Sequence, residues 1–342
     1  MTILVAGANG TVSSALIAAL TADASADVRA LVRDPAKAPA GVEVAVGDLE
    51  QPHTLAEAFA GVDTLWLLTA MGPTAPHASS NAVWAARHAG VKHIVRLSAI
   101  GAAPDAPTRN GRLHALSDAE LQASGIGWTV IRPAFFQQNL LGSVHGGTLY
   151  GATGEGRLSP IDVRDIAAFG ARVLAEPSGH AGRIYTITGP ESLSMRDVAA
   201  RLGLDYQAVP GADVVAGMRT AGLSAWMAEV TGEYLTAYAA NWGDLVTPDF
   251  AQVTGRPAGD VVGSAATMVW SGDVCPTCRR SMRLVARRHL GRGLRRPLET
   301  LRSLMFSARS ATVWARRTMR TSGWLPVEVV KTAGLEHGAR RA

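Results

Sequence analysis

The chain has 342 residues, of which 47% are hydrophobic and 18% charged, with a formal net charge of +5; that is enough for one large core with an extension, but short of two full domains. The charge is uneven: residues 271–342 hold 16 Lys/Arg against 4 Asp/Glu, which leaves a mildly acidic body of 17 against 24 that argues against nucleic-acid binding there. Both cysteines, Cys275 and Cys278, fall in the basic tail, no basic and apolar leader opens the chain, and the long uncharged stretch 64–86 is interrupted by Gly72, Pro73 and Pro76, so the composition predicts a cytoplasmic protein without disulfides or a spanning helix.

Residues 2–6 read as a buried strand and 14–22 as an Ala/Leu-rich helix. Residues 28–32 are strand-like, a third strand leads into Gly47, 54–60 are helical, and 64–68 form another apolar strand. Helix is expected over 79–88, strand over 93–97, helix over 118–123, and a strand over 128–132 that ends at Pro133. Short apolar runs alternating with helices predict an α/β, Rossmann-type doubly wound parallel sheet over residues 1–133. Beyond Pro133 the pattern loosens. Gly and Pro recur through 142–160, followed by a helix at 165–174, a strand at 183–187 and a helix capped by Ser194. A weakly amphipathic helical region covers 214–240. Residues 134–257 are therefore read as a smaller substrate-side subdomain interleaved with the core, and 258–342 as an Arg-rich extension.

The strongest motif lies directly after the first strand: Gly7-Ala8-Asn9-Gly10-Thr11-Val12-Ser13, leading into a helix. Small residues let the backbone approach a pyrophosphate, and the helix N-terminus offers free amides and a favourable dipole. Glycine three residues after Gly10 would complete the usual trio and serve close helix–strand packing; Ser13 stands there instead, which predicts binding that survives in weakened form. The second strand ends at Val32-Arg33-Asp34. An acidic residue here would receive the ribose hydroxyls of NAD, whereas an arginine suits the 2′-phosphate of NADP, with Lys37 adding charge nearby. Gly47-Asp48-Leu49 closes the third strand, where Asp48 is either an adenine partner or a helix cap.

These segments, together with Arg29-Ala30-Leu31-Val32-Arg33, Arg96-Leu97-Ser98-Ala99, the run Trp128 to Leu140, Ile161-Asp162-Val163-Arg164-Asp165-Ile166-Ala167 and Thr254-Gly255-Arg256-Pro257, resemble the NmrA-like atypical short-chain dehydrogenases/reductases over about three-quarters of the chain. The resemblance implies NADP(H), or less readily NAD(H), with Gly7, Asn9, Gly10, Thr11 and Val12 at the pyrophosphate and Arg33 at the 2′-phosphate. It places Asp48 and Leu49 on the adenine side, and Thr69, Ser98 and Pro133 by the nicotinamide. Phe135, Phe136 and Asn139 would border a substrate pocket. It further implies either a reductase of quinones, azo dyes or triphenylmethane dyes, or a redox sensor that binds the dinucleotide without turning it over.

The Tyr-x-x-x-Lys pair of the wider superfamily is absent: none of Tyr150, Tyr185, Tyr206, Tyr234 and Tyr238 has lysine four residues on. Hydride transfer to a small flat acceptor demands less of the protein, because the cofactor carries the hard chemistry. His114 is the candidate hydrogen-bonding or proton-donating residue, against its reading as a surface or helix-capping histidine. Asp118 and Glu120 are expected on a solvated helix face. No metal site is expected in the body. In the tail, Cys275-Pro276-Thr277-Cys278 lacks a second pair for zinc, and the arginines could contact anionic surfaces or form a plain extension.

Overall fold

The alternation along the first half of the chain becomes strand and helix almost where it predicts them. The computed structural model describes residues 1–22 and 26–271. In chain order these form β1 (Thr2–Val5), α1 (Thr11–Ala22), β2 (Asp27–Val32), β3 (Glu43–Val46), α2 (Leu55–Ala58), β4 (Thr64–Leu67), α3 (Ala75–Ala89), β5 (His93–Leu97), α4 (Arg109–Ala123) and β6 (Gly127–Pro133). There follow α5 (Gln137–Leu141), β7 (Val144–His145), β8 (Thr148–Gly151), β9 (Arg157–Leu158), α6 (Val163–Ala175), β10 (Arg183–Ile187), β11 (Leu193–Ser194) and α7 (Met195–Leu202). The last elements are β12 (Asp205–Ala208), α8 (Gly211–Thr220), α9 (Ala225–Ala239), α10 (Asp249–Thr254) and α11 (Val261–Ser271).

The described chain divides into two units. The first takes residues 1–136, 159–191 and 245–258. Its sheet has seven strands in the order β10-β6-β5-β4-β1-β2-β3, every neighbouring pair parallel. The order reverses direction between β1 and β4, the switch point at which doubly wound sheets open a crevice at the strands' C-terminal ends. Period-two alternation sends β4 side chains to opposite faces. Leu65 and Leu67 join Phe59, Ala82, Ala86 and Leu121 in the core under α2, α3 and α4. Trp66 points to the other face, where α1 and α6 pack together. A Cβ on Gly170 of α6 would lie 2.7 Å from the Trp66 ring, so only glycine leaves room for the indole.

The second unit takes residues 137–158, 192–244 and, among those described, 259–271. It holds a three-stranded sheet in the order β12-β8-β7 and an antiparallel pair of β9 and β11. Met218 and Val214 on α8 pack against Ala228 and Leu235 on α9. The helical region expected over 214–240 is two helices, broken at Gly222, whose φ is +80°. The stretch read as loops over 142–160 contains three short strands.

The boundaries differ from those expected at 133 and 257. Residues 159–191 and 245–258 return to the first unit, because β10 adds to the sheet beside β6 and α10 packs on α6 and β10. Part of the expected 258–342 extension is α11; residues 272–342, with both cysteines and the arginine cluster, lie outside the described residues. Among the described residues no helix is long and apolar enough to cross a membrane.

Candidate active site

β1 delivers the chain to Gly7, whose φ of +64° is open to glycine and strained for other residues. A Cβ there would also stand 3.1 Å from the Leu68 carbonyl oxygen, so glycine is required twice over. The Gly10 N–H donates to the Gly7 carbonyl at 2.7 Å, which closes a tight turn. The helical ladder then begins with the Ser14 N–H donating to the Gly10 carbonyl, so the amides of Thr11, Val12 and Ser13 precede it, as the first amides of any helix do. Gly7 and Asn9 are exposed, Gly10 and Thr11 half-buried and Val12 buried. A backbone that admits no side chain, at a helix N-terminus on the switch-point edge, fits a pyrophosphate.

Ser13 is fully buried and does more than fill the place of a glycine. Its hydroxyl donates to the Ala6 carbonyl at 2.9 Å and accepts the Trp66 Nε1–H at 3.1 Å. The serine therefore ties α1 to β1 and satisfies the one polar atom of a buried indole.

The end of β2 separates Arg33 from its neighbour Asp34. The Asp34 carboxylate accepts the Ala36 N–H at 3.0 Å, capping a short helical turn at Pro35–Lys37, and pairs with Lys37 Nζ at 2.7 Å. Arg33 is exposed and has no ion pair or hydrogen bond among the described residues. The Asp34 carboxylate is thus committed locally, as is Lys37, and Arg33 is the open cation. After β3, Gly47 is pinned between Leu31, Leu55 and the Thr54 carbonyl. Asp48 turns its carboxylate to the Glu50 N–H at 3.0 Å, while Leu49 packs on the core and its carbonyl accepts from Asn81.

At the ends of β5 and β6 the arrangement departs from expectation. Asp118 is not on a solvated face: it is 2% exposed, and its carboxylate accepts from Arg96 Nε at 2.9 Å, Ser98 Oγ at 2.9 Å and Arg132 Nη2 at 2.9 Å. Arg96 itself is 1% exposed and donates further to Ser79 Oγ at 3.0 Å. Glu120 is half-buried and accepts from Ser80. A buried guanidinium remains charged, because arginine cannot be deprotonated in proteins, and it needs these partners to offset desolvation. His114, one turn before Asp118, is half-buried, and its Nδ1 lies 3.4 Å from Arg96 Nη2. Burial, then the Arg96 charge and that of Arg132, opposed by Asp118, push its imidazole down to about 3. The ring is neutral at physiological pH, so it can donate a hydrogen bond but is no imidazolium acid.

Thr69 follows β4 and is half-buried. Ser98 lies beyond the last residue of β5, with its hydroxyl hydrogen turned to Asp118. Pro133 ends β6, its carbonyl accepting the Ile100 N–H at 3.0 Å. Phe135 and Phe136 are half-buried and continue that strand beside Ile161, whose N–H donates to the Phe135 carbonyl at 2.8 Å. The expected cofactor residues and the two phenylalanines thus sit in the first unit, along the C-terminal edge of one sheet. Asn139 is half-buried on α5 of the second unit. Among the described residues no three His, Cys, Asp or Glu side chains are grouped to hold a metal. The residues missed by sequence reasoning are Arg96, Arg132 and Asp118. Their one signal was charge inside strands that read as buried, at Arg96 and Arg132.

The chain matches the profile of a family described as NAD(P)H-binding over residues 7–177. It is 37% identical over 270 residues to an NAD(P)H azoreductase of Xenophilus azovorans, covering 75% of this chain and 94% of that relative. In structure it is similar to an NADPH-dependent quinone oxidoreductase of Escherichia coli solved with NADPH, with a TM-score of 0.71 at 26% identity over 78% of this chain and 99% of the other. It is also similar to the Citrobacter sp. triphenylmethane reductase solved with NADP(H), with a TM-score of 0.69 at 26% identity over 76% and 98%. With the glycine turn, the parallel sheet and the missing Tyr-x-x-x-Lys pair, these likenesses make the chain an NAD(P)H-dependent oxidoreductase, a member of the NAD(P)H-binding family on the NmrA-like branch of the short-chain dehydrogenases/reductases.

Proposed function

We propose that this protein reduces a small flat acceptor of the quinone or dye type, and that it prefers NADPH to NADH. The observation that carries the cofactor preference is the open guanidinium of Arg33 beside an Asp34 already bound to Lys37 and the Ala36 amide. A 2′-phosphate can take two charge-assisted hydrogen bonds from such a group, and no unengaged carboxylate stands next to it to repel the phosphate. The acceptor class is supported by the azo-dye, quinone and triphenylmethane activities named for the relatives. It is supported also by Pro133, Phe135 and Phe136 at the end of β6, which offer an apolar border for a planar molecule.

Reduced nicotinamide, when bound, supplies the hydride. The protein's part is to cradle the pyrophosphate on the amides after Gly10, to fix the adenosine end at Arg33, and to hold the acceptor in contact. Calorimetric titration with NADPH, NADP+ and NADH, followed by turnover with quinones and dyes, tests this reading. NADPH binding at least about tenfold tighter than NADH, with turnover, is the expected result. Binding of NADP+ tighter than NADPH, without turnover of any acceptor, would overturn it in favour of a dinucleotide sensor.

A further inference from the structure

The cluster around Asp118 is more elaborate than cofactor binding requires, and it fixes the chemical state of one ring. Arg96 has only donors. A guanidinium N–H that meets His114 Nδ1 at 3.4 Å makes that nitrogen the acceptor, which leaves the ring hydrogen on Nε2. Nε2 makes no hydrogen bond to a described residue, and the residue as a whole is half-buried rather than sealed in the core. The same edge of the sheet carries Gly7 and Pro133, since the strands are parallel.

The charges near the ring have a net sign. Arg96 from β5 touches it and the charge of Arg132 from β6 bears on it, with Asp118 the carboxylate that opposes them; Glu120, on the same helix, is turned to Ser80 and acts on Arg96. Two guanidiniums against one carboxylate make this a place where negative charge is favoured and positive charge is not.

We propose that His114 is a fixed Nε2–H donor to an acceptor whose oxygen becomes anionic as hydride arrives, a quinone rather than a cationic triphenylmethane dye, and that Asp118 positions it through Arg96. This rests on the reductase reading above. Hydride brings two electrons to the quinone: a C–H bond of the reduced nicotinamide breaks, a new bond to hydrogen forms on the quinone, and the nicotinamide is left oxidised. The hydroquinone monoanion then takes its remaining proton from water, so the histidine donates a hydrogen bond and keeps its proton. A cationic dye accepts hydride at carbon and becomes neutral; no oxyanion develops for His114 to stabilise. A neutral imidazole is suited to this task, because it polarises an oxygen without needing to be reprotonated in each cycle.

The test is 15N–1H NMR of histidine-labelled protein with NADPH bound, read beside turnover. At pH 7 and pH 5.5 one ring, identified by its loss in His114→Ala, is expected to show a protonated Nε2 and a bare Nδ1, and not to titrate. Asp118→Asn should mix the two tautomers. His114→Ala should slow turnover of 1,4-naphthoquinone by roughly one to two orders of magnitude. The loss on a cationic triphenylmethane dye should be at least about tenfold smaller, and His114→Asn, which keeps a donor, should recover part of the quinone rate. A ring that titrates near 6.5, a protonated Nδ1, or equal losses on the two acceptors would overturn the proposal while leaving the reductase reading intact. Wild-type protein that binds NADPH and reduces neither acceptor would overturn the reductase reading, and the acceptor assignment with it.

Discussion

The two halves of the sheet's C-terminal edge solve opposite problems. At β1 and β2 the groups proposed to bind cofactor are open: the amides that follow the glycine turn, and Arg33 with no partner among the described residues. At β5 and β6 the charged groups are already held, with Asp118 accepting from Arg96, Ser98 and Arg132. An open group gains its partner when a ligand arrives, so its worth appears as affinity. A closed network has its partners beforehand, so its worth appears as stability and as a preset geometry.

That contrast is sharpest at Asp118. Asp118→Ala leaves two guanidiniums, one of them fully buried, without their carboxylate, and is expected to cost about 3–5 kcal/mol of stability in chemical denaturation. A loss under about 1 kcal/mol would mean the network is not closed.

The opposite edge of the sheet supplies a control. His93 opens β5, and its Nε2 lies 2.9 Å from Thr129 Oγ1, whose own hydrogen goes to the His180 carbonyl. Burial, and then the His180 charge, push His93 down to about 4. Above the ordinary histidine range both folded and unfolded forms are neutral, and this contribution is fully present. As pH falls from about 6.5 toward 4 the unfolded chain takes up the proton first, so stability is lost across that window, up to about 3 kcal/mol. His93→Gln should flatten the acid limb of a stability–pH curve and leave NADPH affinity unchanged; an unchanged acid limb would place the titration elsewhere.

Ser13 lies under the open half but behaves as part of a closed network. Restoring the glycine of the usual trio, Ser13→Gly, is expected to destabilise the fold by about 2–3 kcal/mol, because it strands the Trp66 Nε1–H and adds a flexible residue to α1. A glycine variant as stable as the parent, binding NADPH more tightly, would instead mean that the serine only weakens the cofactor site. The smallest effect is expected at Arg33. Arg33→Ala should weaken NADPH about tenfold, near 1.4 kcal/mol, and NADH hardly at all; equal losses would remove it from the phosphate site.

The open half was legible in the sequence and the closed half was not. Gly7 and Gly10 announce themselves because a tight turn admits few residues, and the strands of the first unit are near-continuous apolar runs. The sequence pattern predicts helix only over 118–123, whereas α4 begins at Arg109, with Thr108 accepting the Gly111 N–H as its cap. Its inner face carries Asp118, Asn110 and Ser117, all buried. Hydrophobic periodicity equates burial with apolar side chains, so a face buried through ion pairs looks like one in water. The short strands β7, β8 and β12 escaped for a different reason: pairings of two to four residues amid glycines carry too little pattern to be seen.

With Arg33 at the proposed 2′-phosphate site, its open state would also make cofactor choice depend on the medium. An exposed cation is screened over a Debye length of about 8 Å at physiological ionic strength and about 3 Å in molar salt. The buried pairing of Arg96 and Asp118 has little solvent around it to screen. Rising salt should therefore erode the preference for the phosphorylated dinucleotide well before it touches the architecture behind His114, so that the same molecule becomes less selective in its reductant while remaining equally well folded.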